Sequence, residues 1–154
     1  MIQTPIWAVM AETLSTDRPD KLSVVVFSGD FDKVHYALVM ASAAAAIDTP
    51  TTLFFTMEGT RALLKGKAWA DQPTSGGVDR GADMDAHFKA SGVADFETLL
   101  GACREMGVRF LVCEMGLKAM GLTREDLRDD IKFETGGVVT FLNDASKTGA
   151  MIFV

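Results

Sequence analysis

Two thiols and two imidazoles are the most reactive side chains of this 154-residue chain: Cys103, Cys113, His35 and His87. Cys113 closes the run Val108-Arg109-Phe110-Leu111-Val112, which reads as a buried strand, and Glu114 to Met120 follows in a helical pattern. A side chain at the carboxyl end of a strand, facing the next helix, stands where α/β folds collect their chemistry. The helix N-terminus favours an anion, so the position suits a thiolate nucleophile. Glu114 opposes that electrostatically if its carboxylate points inward.

Cys103 falls instead on an apolar helical stripe, Phe96, Leu99, Leu100, Cys103 and Met106, where a cysteine acts as a small buried hydrophobe. Going down four helical residues and up five strand residues leaves a net offset of ~11 Å between the two cysteines. A disulfide needs Cα atoms about 4.4–6.8 Å apart, so no intrachain bond is expected in the resting fold. His35 lies one helical turn past Phe31, where a hydrogen-bonded, partly buried role is expected. His87 sits in a long loop, solvated or at a contact. Zinc would need these imidazoles to converge with both thiols, which nothing in the spacing requires.

Other familiar sites are missing from the sequence. It has no Gly-x-Ser-x-Gly, no Gly-x-Gly-x-x-Gly after the first strand and no Cys-x-x-Cys. The stretch from Gly59 to Lys67 has a superficial likeness to a phosphate loop, but its glycines are wrongly spaced and no Ser or Thr follows Lys67.

The elements that must position Cys113 follow from pattern. Leu22 to Phe27 reads as the first strand, Phe31 to Ile47 as an alanine-rich helix ended by Asp48-Thr49-Pro50, and Thr51 to Thr56 as the second strand. A short helix is expected over Glu58 to Lys65. Residues 67–94 show little clear structure beyond one or two turns from Asp83 to Lys89, which suggests a functional loop, a lid or a subunit contact. Asp95 should cap the helix carrying Cys103. After the Cys113 strand come a helix to Met120, a capping box at Thr123-Arg124-Glu125-Asp126, the double glycine Gly136-Gly137, a helix over 138–147 and a last strand at 150–154. Strands alternating with helices predict an α/β fold: one three-layer domain over 21–154, with a mostly parallel five-stranded sheet and helices on both faces. Residues 1–20 read as an N-terminal arm.

Composition narrows the function. The net charge of −6, with no basic cluster, argues against nucleic acid or an anionic membrane as the main partner. Met1 to Leu14 lacks the basic start of a secretory signal, and no apolar run reaches the ~20 residues of a membrane span. Two cysteines make no disulfide framework, so a reducing, cytoplasmic location is expected. The nine methionines suit flexible core filling, and a mean hydropathy of +0.18 suggests some apolar surface buried between subunits.

The segment Asp95-Phe96-Glu97-Thr98-Leu99-Leu100, then Cys103, then Gly107 to Leu117 and Gly121-Leu122, resembles the DsrE/DsrF-like family. Gly136 to Leu142 adds to the likeness, which runs from about Leu22 to the C-terminus. The resemblance is to the two-cysteine branch found beside TusA and rhodanese domains. It implies a small α/β fold with a parallel sheet, assembled as a homotrimer or homohexamer. It also implies a sulfur carrier or sulfurtransferase whose cysteine accepts sulfane sulfur as a persulfide and passes it to a TusA-like acceptor. Cys113 matches that cysteine by position, and the family pairing raises Cys103 to a secondary site residue. The implied partners are TusA-like or rhodanese-like proteins, and the chemistry needs no metal or organic cofactor. A non-catalytic oligomeric subunit or a thiol-based redox protein are the alternatives.

Overall fold

The structure, a computed structural model, describes residues 17–154. Most of the arm expected over residues 1–20 therefore lies outside the described residues. Five strands form one sheet: β1 (Leu22–Val26), β2 (Thr51–Phe55), β3 (Arg109–Cys113), β4 (Phe133–Gly136) and β5 (Ala150–Phe153). Their order is β4-β3-β2-β1-β5 and every neighbouring pair is parallel. The helices are α1 (Phe31–Ala46), α2 (Gly81–Ala90), α3 (Phe96–Glu105), α4 (Glu114–Ala119) and α5 (Val138–Asp144).

The strand order dictates how the helices are shared between the faces. From β1 to β4 the chain steps in one direction across the sheet, and right-handed crossovers then put every connection on the same face. The return from β4 to β5 runs the opposite way and must cross the other face. Side chains alternate accordingly. Val24, Val26, Leu53, Phe55, Phe110 and Val112 join the main core with α1, α3 and Leu117 of α4. Phe54, Leu111 and Cys113 form a separate small cluster with Phe141 of α5, and Val25 packs against it. Helices on both faces are thus found, but unequally. Among the described residues the second face carries only the seven-residue α5, and its β1–β5 half leaves Phe27, Met151 and Phe153 exposed.

Residues 67–94 are more ordered than their composition suggests. A 3₁₀ turn at Ala68–Asp71 and a bridge between Pro73 and Arg80 lead into the ten residues of α2. Phe31, fully buried in α1, gathers the rings of Trp69, Phe96 and Phe88 at centroid distances of 5.6, 5.8 and 6.4 Å. Such aromatic contacts add stability beyond the area they bury. Gly81 starts α2 where a Cβ would stand 2.2 Å from the Trp69 carbonyl oxygen, so only glycine permits this approach. Below the rings, Glu97 accepts from Trp69 Nε1 at 2.8 Å and from the Arg128 fork at 2.7 and 3.0 Å. That network fixes the loop between α4 and β4 to α3.

Candidate functional site

Cys113 is the last residue of β3 and also the N-cap of α4. Its Sγ accepts a hydrogen bond from the Gly116 N–H at 3.4 Å. Gly116 is required by close packing: a Cβ there would lie 2.9 Å from both the Met57 nitrogen and Thr56 Oγ1. The first turn of α4 thereby nests against the exit of β2, where Met57 adopts a left-handed φ of 47°. Glu114 is exposed, so water screens its charge from the sulfur.

The sulfur-carrier role that the family resemblance implies meets one obstacle in the structure. Sulfur transfer calls for an exposed thiol, yet Cys113 has 0% exposure. The reason is the strand order. Cys113 points to the second face, where α5 brings Phe141 over it, and Phe141 stacks on Phe54 at 4.9 Å with rings 13° from parallel. A pattern of apolar residues along the chain contains no information on which face a given crossover will take.

Cys103 is equally buried but on the opposite side of the sheet, within the main core. Its thiol donates to the Leu38 carbonyl at 3.7 Å, and desolvation pushes its pKa up to about 12. The two cysteines are both free, and they lie in separate clusters with the sheet between them. His35 is a core residue: its Nε2 is 2.8 Å from the Ala94 carbonyl oxygen and its ring packs on Phe88 at 4.6 Å. His87 is exposed on α2. Among the described residues, no three His, Cys, Asp or Glu side chains gather as a metal site would require. A cleft of about 540 Å³ does open beyond the carboxyl ends of β1 and β2, lined by Gly29, Asp30, Glu58, Arg61, Gln72 and others, but Cys113 is not among its lining residues.

Phe141, packed over the thiol, escaped sequence reading, and so did Asp144, which holds the other end of α5 at the amino ends of the strands. Asp144 ends α5 and is bound by Lys21 Nζ at 2.8 Å, by Thr52 Oγ1 at 2.5 Å and by Arg109 Nη1 at 2.6 Å. Burial alone would raise its carboxyl, but these donors outweigh burial and hold it below the usual carboxylate value. The available signal was a lone acidic residue at the end of an otherwise apolar and neutral helix, opposite an Arg that starts the interior strand β3.

Comparison with known proteins identifies the family and the fold. An uncharacterized protein of Bacillus subtilis, YrkE, is 29% identical over 161 residues, spanning 90% of this chain and 99% of the relative. A protein named sulfur carrier protein DsrE2, from Allochromatium vinosum, is 23% identical and spans 87% and 98%. Two solved structures share the fold. One is MTH1491 from Methanobacterium thermoautotrophicum, a protein of unknown function, with a TM-score of 0.50 at 14% identity over 87% of this chain and 99% of that one. The other is the ychN protein of E. coli, with a TM-score of 0.51 at 13% identity over 86% and 97%. A family model matches residues 20–153, and the chain belongs to the DsrE/DsrF-like family.

Proposed function

We propose that this chain is a sulfur carrier or sulfurtransferase with Cys113 as the sulfur-accepting residue. The observation that supports it best is the placement of that thiol. It ends an interior parallel strand, caps the following helix and receives the Gly116 N–H on its sulfur. The relative named a sulfur carrier, matched over nearly its whole length, supports the same reading.

The step is an exchange without net redox change. The Cys113 thiolate attacks the outer sulfur of a donor persulfide, R–S–SH; a new S–S bond forms, the donor S–S bond breaks, and its electron pair leaves on R–S⁻. Passage to an acceptor thiolate repeats the exchange, returning the Cys113 thiolate. A rhodanese-like donor and a TusA-like acceptor fit this role, in a reducing cytoplasmic setting that keeps both thiols free. Cys103 serves the core in this reading, because a thiol with a pKa of about 12 supplies almost no thiolate at neutral pH. Assembly as a homotrimer or homohexamer accords with the exposed Phe153, Met151, Val139 and Leu142.

Mass spectrometry after incubation with a polysulfide donor tests the assignment. A gain of ~32 Da per sulfur atom on the Cys113 peptide, absent in Cys113→Ser, is expected. A Cys113→Ser protein that still gains sulfur would move the site elsewhere. The complete burial of Cys113 favours one rival, a non-catalytic subunit, and failure of the native wild-type chain to load at all would decide for it.

A further inference from the structure

A thiol with no exposed surface reacts only if something above it moves. Among the described residues, α5 is the helix whose side chain completes the cluster around Cys113. Its hold on the sheet is uneven along its length. Phe141 is its one buried residue, whereas Val138, Val139 and Leu142 are 47, 71 and 54% exposed. The C-terminal end is anchored by Asp144, which is bound by Lys21, Thr52 and Arg109; Lys21 Nζ also donates to the Asp144 carbonyl at 2.6 Å. Among the described residues, no ion pair comparable to that of Asp144 holds the N-terminal end. It follows the double glycine Gly136-Gly137, and its cap is a 3.3 Å bond from the Gly137 N–H to Thr140 Oγ1. Gly136 ends β4 and is paired in register with Cys113, so α5 begins two residues beyond the strand position beside the sulfur.

We propose that α5 is a movable cover over Cys113. It pivots on the Asp144 anchor, and withdrawal of Phe141 from Phe54 opens the sulfur to a donor or acceptor. The main core on the opposite face is untouched by this motion, because Phe54, Leu111, Cys113 and Phe141 form a cluster of their own. Local opening of this kind draws on the low-stability end of a fold. Withdrawing one stacked aromatic ring corresponds to a protection of roughly 10²–10⁴-fold over a free thiol, while a core thiol waits for global unfolding.

The inference rests on Cys113 being the working thiol, but its test does not need sulfur transfer to occur. The native chain is pulsed with N-ethylmaleimide, and the Cys113 and Cys103 peptides are quantified separately. Cys103 reports global unfolding from within the same molecule. In the wild type Cys113 should react at least tenfold faster than Cys103 and with little dependence on low urea. Phe141→Ala should raise the Cys113 rate a further ~10–100-fold, and Asp144→Asn, which leaves the ring stack intact, about tenfold. In both variants the Cys103 rate should change by a smaller factor. One common rate for both cysteines, following global unfolding through the urea series, would overturn the cover. So would wild-type Cys113 reacting at the rate of a free thiol. Persulfide loading, read separately by mass, distinguishes failure of the cover from failure of the sulfur-carrier reading.

Discussion

Cys103 gives the sharpest test of the division between a core thiol and a working thiol. Its folded pKa is raised from 9.0 to about 12 by burial. Below pH 9 both folded and unfolded chains keep this proton, and the stabilising difference is fully present. Between pH 9 and 12 the unfolded chain releases the proton and the folded chain retains it, so stability falls as pH rises. Integrating the linkage from pH 8 to about 10.5 gives a loss of about 2 kcal/mol attributable to this one thiol. Other groups also titrate in that window, so the measurement is a difference between proteins. Urea unfolding of wild type and Cys103→Ala at half-unit steps from about pH 8 to 10.5 supplies it. The variant starts less stable, having lost a buried sulfur, and the gap should close as pH rises. Parallel curves across the whole window would refute the assignment, because they would mean that Cys103 ionises as easily folded as unfolded. The same shift leaves about one Cys103 in 10⁵ as thiolate at neutral pH, which is why sulfur loading should survive Cys103→Ala.

Gly116→Ala should cost about 1–3 kcal/mol, because its Cβ would press on Thr56 and Met57; it should also reduce sulfur loading at Cys113 by displacing the N–H that meets Sγ, read by thermal melting and by persulfide mass. Arg128→Ala removes the fork that joins Glu97 and Asp130. The pair is partly exposed, with Glu97 at 32%, so the expected loss of about 2 kcal/mol in a urea titration is less than a fully buried pair would give. Asp144 has a folded carboxyl below its unfolded value, so its contribution is present above about pH 3.9 and is lost as pH falls through the lower folded value. Melting curves between about pH 5 and 2.5 should therefore bring wild type and Asp144→Asn together at the acid end, and a constant gap would contradict the anchor.

Much of this arrangement is legible in the chain because its signals are local. The strands at 22, 51, 109 and 150 stand out as short apolar runs between turn residues, and each begins within a residue of its expected start. Asp95 announces its helix by type, and its side chain does accept from the Thr98 N–H at 2.8 Å. The position of Cys113 at a strand end follows from the same patterning. What failed depended on contacts distant in sequence. Residues 67–94 are polar and glycine-rich, yet Trp69 and Phe88 fold them onto Phe31, which lies far earlier in the chain. The burial of Cys113 requires Phe141 to arrive from the opposite side of the sheet, which depends on β5 pairing with β1 rather than extending beyond β4.

That single topological choice connects the site to its chemistry. Had β5 extended the sheet beyond β4, the right-handed rule would have placed α5 on the first face with α1 and α3, and Cys113 would face an open surface. With β5 beside β1, one short helix is what the described residues place over a face that in parallel sheets is ordinarily packed by several. The thin side is the one that carries Cys113, the proposed sulfur acceptor, and the thick side holds Cys103, its pKa pushed up by burial. A sulfur bound as a persulfide has to be shielded between donor and acceptor and exposed at each, and only a locally weak cover allows both without unfolding the rest. The unequal packing of the two faces thus sets a well-packed scaffold on one side and a buried but thinly covered sulfur on the other.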